Sequence, residues 1–219
     1  MPDLNSTSLI SFNDWTLRLR ETTHPDPRML LLIHGHTGDE NAMWVFARNM
    51  PASYWIVAPR APYPADSGGY SWRPPEFGNY DQLGLQVLES AAEALIRLVD
   101  EYSASAAIDA GIFDVMGFSQ GAAMSSVLAI LYPQRIRKLA LLAGFVPDGL
   151  EELMTGRPLE GKSFFVAHGT KDETVTIDRA RTSIGRLERA GAQVTFCEDD
   201  VGHKVSVRCL RALQKFFSD

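Results

Sequence analysis

Apolar residues recur along this chain in two periods. In Trp15-Thr16-Leu17-Arg18-Leu19-Arg20 they alternate with polar ones, as a half-exposed strand requires, and with residues 10–12 this predicts a short edge hairpin. Met29-Leu30-Leu31-Leu32-Ile33 is instead continuously apolar, the mark of a strand covered on both faces. Further strands are predicted over 54–58, 112–116, 136–142, 163–167 and 193–197. Helices are predicted between them over 41–50, 81–102, 120–132, 177–190 and from about 204 to 217, with a short amphipathic piece at 149–155. The second helix carries the 3.6-residue period through Leu85, Leu88, Ala92, Leu95, Ile96 and Val99. Strand, helix, strand in this rhythm makes an α/β chain with a mostly parallel sheet and crossover helices.

The rhythm breaks once. Residues 59–80 hold five prolines and three glycines, with Tyr63, Tyr70, Trp72, Phe77 and Tyr80 interleaved. A structureless stretch of that length is uncommon unless it serves as a lid or binding loop, which is the reading preferred here over a rigid crossover packed by its aromatics. No internal repeat, low-complexity segment or interior linker divides the chain, so residues 1–219 read as one domain.

Composition narrows the partners. Of 219 residues, 45% are hydrophobic, enough for a substantial core. Lys+Arg number 21 against 27 Asp+Glu, a net charge of −6 with no basic stripe, which argues against nucleic acid and anionic membrane surfaces. The cluster Arg135, Arg137 and Lys138 reads as a solvated strand entry rather than a phosphate site. Cys197 and Cys209 do not make a disulfide framework and are expected as small core residues. Residues 1–13 lack a basic-then-apolar signal and no apolar run approaches spanning length, so the expectation is a soluble cytoplasmic protein with no membrane span.

Chemistry enters at Gly117-Phe118-Ser119-Gln120-Gly121, a G-x-S-x-G between a predicted strand and a run of small residues suited to a helix. That context gives the motif its meaning as a nucleophile elbow. The turn strains the serine backbone, and a Cβ at either flanking glycine would collide with the adjoining strand or helix. Ser119 then stands at the C-terminal rim of the sheet with a helix N-terminus aimed at whatever it attacks.

All strands of a parallel sheet end on one rim, and ligands bind in the crevice there. Loops 34–40, 119–121, 168–175 and 201–203 follow predicted strand ends and must converge. They supply a serine, acids and histidines in the order Ser, Asp, His, the chain order of α/β-hydrolases. A serine hydroxyl is a poor nucleophile until an imidazole takes its proton, and a carboxylate then fixes the imidazole's tautomer. Of the five histidines, His203 alone lies just past the last strand and is the candidate base. Asp172 is the candidate acid, with Asp148, Asp199 and Asp200 as rivals. Two backbone donors are needed for the oxyanion, and the amides of Gln120 and His36 are the candidates. His34 and His36 invite a metal reading, but Gly35 between them and the lack of a ligand set around them argue for no metal, with His34 a structural hydrogen bonder.

These segments carry a resemblance. Leu32-Ile33-His34-Gly35, Ala58-Pro59-Arg60-Ala61-Pro62 with Tyr70 and Trp72, Gly117-Phe118-Ser119-Gln120-Gly121, Leu142-Ala143-Gly144-Phe145, His168-Gly169 with Asp172 and Val175, and Gly202-His203 occur in order. Together they resemble the phospholipase/carboxylesterase family of small α/β-hydrolases, which includes acyl-protein thioesterases and bacterial carboxylesterases. The resemblance implies an α/β-hydrolase fold with helices on both faces of the sheet and no large cap domain. It also implies a serine carboxylesterase without cofactor, cleaving small to medium acyl esters or thioesters through Ser119, His203 and Asp172. Trp72, Phe145 and Val175 are candidates for the apolar wall around the acyl or alcohol part, with ordinary core or loop anchor as the equal alternative for each, and some members of the family form a homodimer. The alternatives are a non-catalytic ligand- or partner-binding protein on the same fold, or a peptidase or acyltransferase using the same three residues. Two positions depart from the family's habit. His36 stands where an apolar residue is commoner, and Ala143 replaces a serine often found before Gly-Phe.

Overall fold

The computed structural model describes residues 7–75 and 84–218. In chain order the elements are β1 (Ser8–Phe12), β2 (Trp15–Arg20), β3 (Arg28–Ile33), α1 (Trp44–Ala47), β4 (Tyr54–Pro59), β5 (Tyr63–Pro64), β6 (Tyr70–Ser71), α2 (Leu85–Ala106), β7 (Phe113–Phe118) and α3 (Gln120–Leu131). They continue with β8 (Ile136–Leu142), β9 (Ser163–Gly169), α4 (Ile177–Arg189), β10 (Gln193–Asp199) and α5 (Val207–Ser218). One sheet takes eight of the strands in the order β1-β2-β4-β3-β7-β8-β9-β10. β1 and β2 join antiparallel, and β4, β3, β7, β8, β9 and β10 run parallel to one another.

The continuous apolar runs are explained by what lies on each face. Along β3, Leu31 and Ile33 enter one core while Leu30 and Leu32 enter the other. Val115 and Met116 divide the same way on β7, as do Leu141 and Leu142 on β8 and Val166 and Ala167 on β9. The larger core is closed by Leu88 and Leu95 of α2, Met124 and Val127 of α3 and Leu187 of α4. The smaller is closed by Trp44 and Ala47 of α1 and Leu213 and Phe217 of α5. α3 lies so deep that its residues from Gln120 to Ile130 are all buried, which accounts for their small size. This is the α/β-hydrolase architecture, with no large cap among the described residues. No helix of the described residues is long and apolar enough to cross a membrane.

The segment 59–80 is held down as far as residue 75. β5 and β6 pair as a small hairpin whose turn uses Gly68 and Gly69 at φ of 91° and 70°. The hairpin is stitched to the loop after β3, with Thr37 N–H donating to Tyr70 O at 3.0 Å and Tyr70 N–H to Gly38 O at 2.9 Å. Phe77 and Tyr80 lie outside the described residues.

Cys197 and Cys209 are buried, as expected, but they are not separate core residues: they form a disulfide. The bond ties β10 to α5, and the twelve-residue separation encloses the loop that carries His203. A loop of this size is worth about 3 kcal/mol by restricting the unfolded chain. Reduction is therefore expected to lower Tm by about 6–12 °C, given about 2–4 °C per kcal/mol for a chain this long. Calorimetry with and without a phosphine reductant checks this, and Cys209→Ser should show the lowered Tm in both conditions. In a reducing cytoplasm, the location expected from the sequence, such a pair is held as thiols.

Candidate active site

β7 delivers Ser119 to the C-terminal rim of the sheet. The residue sits at φ 53° and ψ −117°, a sparsely populated region for a side chain-bearing residue. Its amide donates to Leu142 O of the neighbouring strand at 2.9 Å, and its carbonyl accepts from Ala122 N–H as α3 begins. The flanking glycines are required by contact. A Cβ on Gly117 would fall on the Gly121 carbonyl and the Ser125 hydroxyl, and one on Gly121 would fall on the Ile33 carbonyl. Strand, elbow and helix are therefore in backbone contact, which only glycine permits.

The structure brings Ser119, His203 and Asp172 together across 84 and 31 residues of chain. His203 Nε2 lies 2.9 Å from Ser119 Oγ. Its Nδ1 lies 2.7 Å from Asp172 Oδ2. The carboxylate only accepts, so the proton between them is on His203 Nδ1, and Nε2 is left to accept from the serine hydroxyl. Asp172 Oδ1 in turn accepts from the amides of Thr174 and Val175, each at 2.9 Å. The Asp172 side chain is fully buried and that of His203 is 24% exposed, so the chain of bonds runs from the interior towards solvent. The rival acids are elsewhere: Asp148 pairs with Arg186, Asp199 with Arg208 and Asp200 with Lys171.

The loop after β3 lies against Ser119: a Cβ on Gly35 would come 3.3 Å from Ser119 Cβ and 3.2 Å from the Phe118 ring. His34 fixes this loop. Its Nδ1–H donates to Gly35 O at 2.7 Å and its Nε2 accepts from Ala61 N–H at 3.0 Å, while its own carbonyl accepts from Trp72 Nε1–H at 2.8 Å. Burial lowers the His34 pKa, so the imidazole is neutral and suited to that double role. The His36 pKa is lowered too, first by burial and then by the Arg73 charge. Gln120 opens α3, where an amide has no acceptor within its own helix. Its side chain locks the far loop, with Oε1 accepting from Trp72 N–H at 3.0 Å and Nε2–H₂ donating to Ser71 Oγ at 3.0 Å. Among the described residues no group of three or more His, Cys, Asp or Glu converges as metal ligands would.

Trp72, Phe145 and Val175 are buried at 0%, 2% and 4% exposure. Trp72 supports the His34 loop from behind, Phe145 lies under the Arg179 guanidinium, and Val175 closes the Asp172 loop. Two aromatic residues not singled out by the sequence reading stack in series beside His203. Phe118 lies with its ring centroid 5.1 Å from that of His203, and Phe46 stacks on Phe118 at 5.6 Å. Phe118 was legible as the variable residue before the serine, but Phe46 comes from a segment with no motif.

A family model described as phospholipase/carboxylesterase matches residues 17–219. The chain belongs to the phospholipase/carboxylesterase family. It is accordingly a carboxylic ester hydrolase. An acyl-protein thioesterase 1 from Debaryomyces hansenii is 27% identical over 93% of this chain and 95% of its own length. Among solved structures, a carboxylesterase from Mesorhizobium loti superposes with a TM-score of 0.83 at 22% identity, covering 97% of this chain and 99% of that one. A Bacillus cereus carboxylesterase gives 0.82 at 21% identity over 94% of each chain. In this member of the phospholipase/carboxylesterase family, Ala143 takes the left-handed conformation at φ 48° just past β8. Its amide donates to Ala167 O at 2.8 Å, and it is fully buried. The neighbouring Gly144 packs so closely that a Cβ there would come 3.1 Å from the Ser119 carbonyl.

Proposed function

We propose that this protein is a serine carboxylesterase that cleaves small to medium acyl esters or thioesters through an acyl-enzyme intermediate. The observation that carries the reading is the unbroken series of hydrogen bonds from Ser119 Oγ through His203 to Asp172 at the rim where α3 begins. His203 Nε2 accepts the hydroxyl proton as Ser119 Oγ attacks the acyl carbon. The resulting imidazolium is stabilised by Asp172, whose carboxylate is held towards it by the amides of Thr174 and Val175. The carbonyl oxygen, now an anion, is assigned to the amides of Gln120 and His36. The tetrahedral intermediate collapses as His203 passes its proton to the leaving alcohol or thiol. Water then attacks the acyl carbon as His203 takes its proton, and His203 returns that proton to Ser119 Oγ as the acid is released.

The substrate is assigned to the rim beside Ser119 with the aromatic pair Phe46 and Phe118 on the His203 side, and Trp72, Phe145 and Val175 would serve it as buried backing. Short to medium chains fit the absence of a large cap among the described residues. A panel of p-nitrophenyl esters of rising chain length tests the reading, with the expectation that kcat/KM peaks at short to medium chains. A fluorophosphonate probe should label Ser119 and abolish turnover in proportion to labelling. Full ester turnover by quantitatively labelled protein would falsify the proposed mechanism.

A further inference from the structure

We propose that His168 is a positioning residue that keeps Asp172 on His203 by closing the loop between them with its Nε2–H. This rests on the acyl-enzyme reading above for its kinetic consequences, but its geometry is independent of it. His168 is the penultimate residue of β9, and its side chain is fully buried. Nε2 is 2.8 Å from the Val175 carbonyl and 3.4 Å from Asp172 Oδ2, the oxygen that holds His203. A carbonyl only accepts, so the His168 proton is on Nε2. Nδ1 is then a lone-pair nitrogen, buried with no hydrogen-bond partner among the described residues.

Val175 is thereby tied at both ends of its peptide. Its amide donates to Asp172 Oδ1 and its carbonyl accepts from His168. The segment 168–175 becomes a closed ring of bonds around the carboxylate, so that Asp172 has one orientation. Without the His168 donor, the Val175 carbonyl is left buried and unpaired, which the loop relieves by moving. A displacement of order 1 Å in a reacting array costs about 100-fold in rate. The 2.8 Å bond to Val175 outweighs the 3.4 Å approach to Asp172, so the loss of orientation dominates over the loss of a weak donor to the carboxylate. Among the described residues, the titratable groups facing the ring are Asp172 and His203; Glu198, its register partner on β10, is taken by Arg181 at 2.9 Å. Burial lowers the His168 pKa, in keeping with a neutral donor.

Two amide side chains separate positioning from mere filling of space. Glutamine places its NH₂ near the His Nε2 position, whereas asparagine reaches only the Nδ1 position. His168→Gln is expected to stay within about fivefold of the wild-type kcat, and His168→Asn to lose about 100-fold with KM changed less than about twofold. Proton NMR gives a readout that does not need turnover. The low-field Nδ1–H signal of His203 should be present in the wild type and in His168→Gln and lost in His168→Asn. Equal kcat and equal low-field signal in the two variants overturn the proposal. Nitrogen NMR of the wild-type protein decides it without any variant: a His168 proton on Nδ1 rather than Nε2 overturns it as well. A wild-type protein without Ser119-dependent turnover would sink the proposed reaction, and the two NMR measurements would still decide the role of His168.

Discussion

Replacing Ser119 with alanine is expected to lower kcat/KM for a p-nitrophenyl ester by about 10⁴- to 10⁶-fold while the protein stays folded. The size of the effect follows from the roles of the three side chains. In the proposed mechanism Ser119 and His203 act as one unit, so the loss of either removes nearly the whole covalent route and leaves what the oxyanion donors and binding alone can do. The fold should not notice, because the Ser119 hydroxyl bonds to His203 and holds no strand or helix in place. Its backbone does hold structure, and it does so under strain at φ 53° and ψ −117°. Alanine keeps that strain, since its Cβ meets the same obstruction. Glycine relieves it. A residue held in such a region stores about 1–3 kcal/mol, against which glycine's greater unfolded-state freedom costs about 0.5–1 kcal/mol. Ser119→Gly should therefore be as inactive as Ser119→Ala but melt about 2–4 °C higher. Two inactive variants with different Tm values separate the chemistry of the residue from its geometry. An alanine variant with wild-type turnover would assign the reaction to another nucleophile.

That strain was legible in the sequence, because the two glycines on either side of Ser119 announce a turn that other residues cannot make. Much of the sheet was legible for a related reason. A strand buried on both faces has no choice but to be apolar throughout, and Met29 to Ile33 could be read as such without knowing its neighbours. Elements whose state depends on local polar bonds were harder. The helix predicted over 41–50 shrinks to Trp44–Ala47. There Asp39 Oδ1 accepts from Asn41 N–H at 2.8 Å and Asp39 O accepts from Ala42 N–H, so the chain spends its donors on turns before a helix can start. The amphipathic piece over 149–155 is a series of turns, bounded by Gly149 and Gly156 at φ of 85° and 75°. Contacts between distant segments were not legible. The pairing of Cys197 with Cys209 depends on where α5 crosses β10. His168 looks like part of a His-Gly motif until the loop beyond it folds back and presents the Val175 carbonyl. The cluster Arg135, Arg137 and Lys138 is likewise not a solvated strand entry. Arg135 pairs with Asp100 at 2.6 Å, Lys138 Nζ donates to Phe216 O at 2.6 Å, and Arg137 reaches a carboxylate inside the sheet.

That carboxylate, Asp114, supports the second large effect. Asp114→Ala is expected to lower Tm by about 6–12 °C with kcat at room temperature unchanged. The residue is 1% exposed near the start of β7, in a strand that is otherwise apolar. It is tolerated there because every oxygen is occupied. Oδ1 accepts from Arg137 Nε–H and from Lys138 N–H, each at 3.0 Å. Oδ2 accepts from the Tyr54 hydroxyl at 2.6 Å and from the second arm of Arg137. Burial first, and then the carboxylate, raises the Tyr54 pKa, so the phenol remains a donor throughout the working pH range. Removing one partner of a buried ion pair costs about 3–5 kcal/mol, because the groups left behind stay desolvated without compensation. The Arg137 side chain is 33% exposed and regains some water, which puts the expected loss at the lower end, about 3 kcal/mol. Activity should survive because about 16 Å of extended strand separates position 114 from Ser119. A double-mutant cycle identifies the cause. Tyr54→Phe should cost about 1 kcal/mol in the wild type and close to nothing once Asp114 is gone, since its hydroxyl then has lost its main acceptor. Equal costs in the two backgrounds would mean that the buried carboxylate does not hold the tyrosine, and the loss in Asp114→Ala would then rest on Arg137 and the Lys138 amide alone.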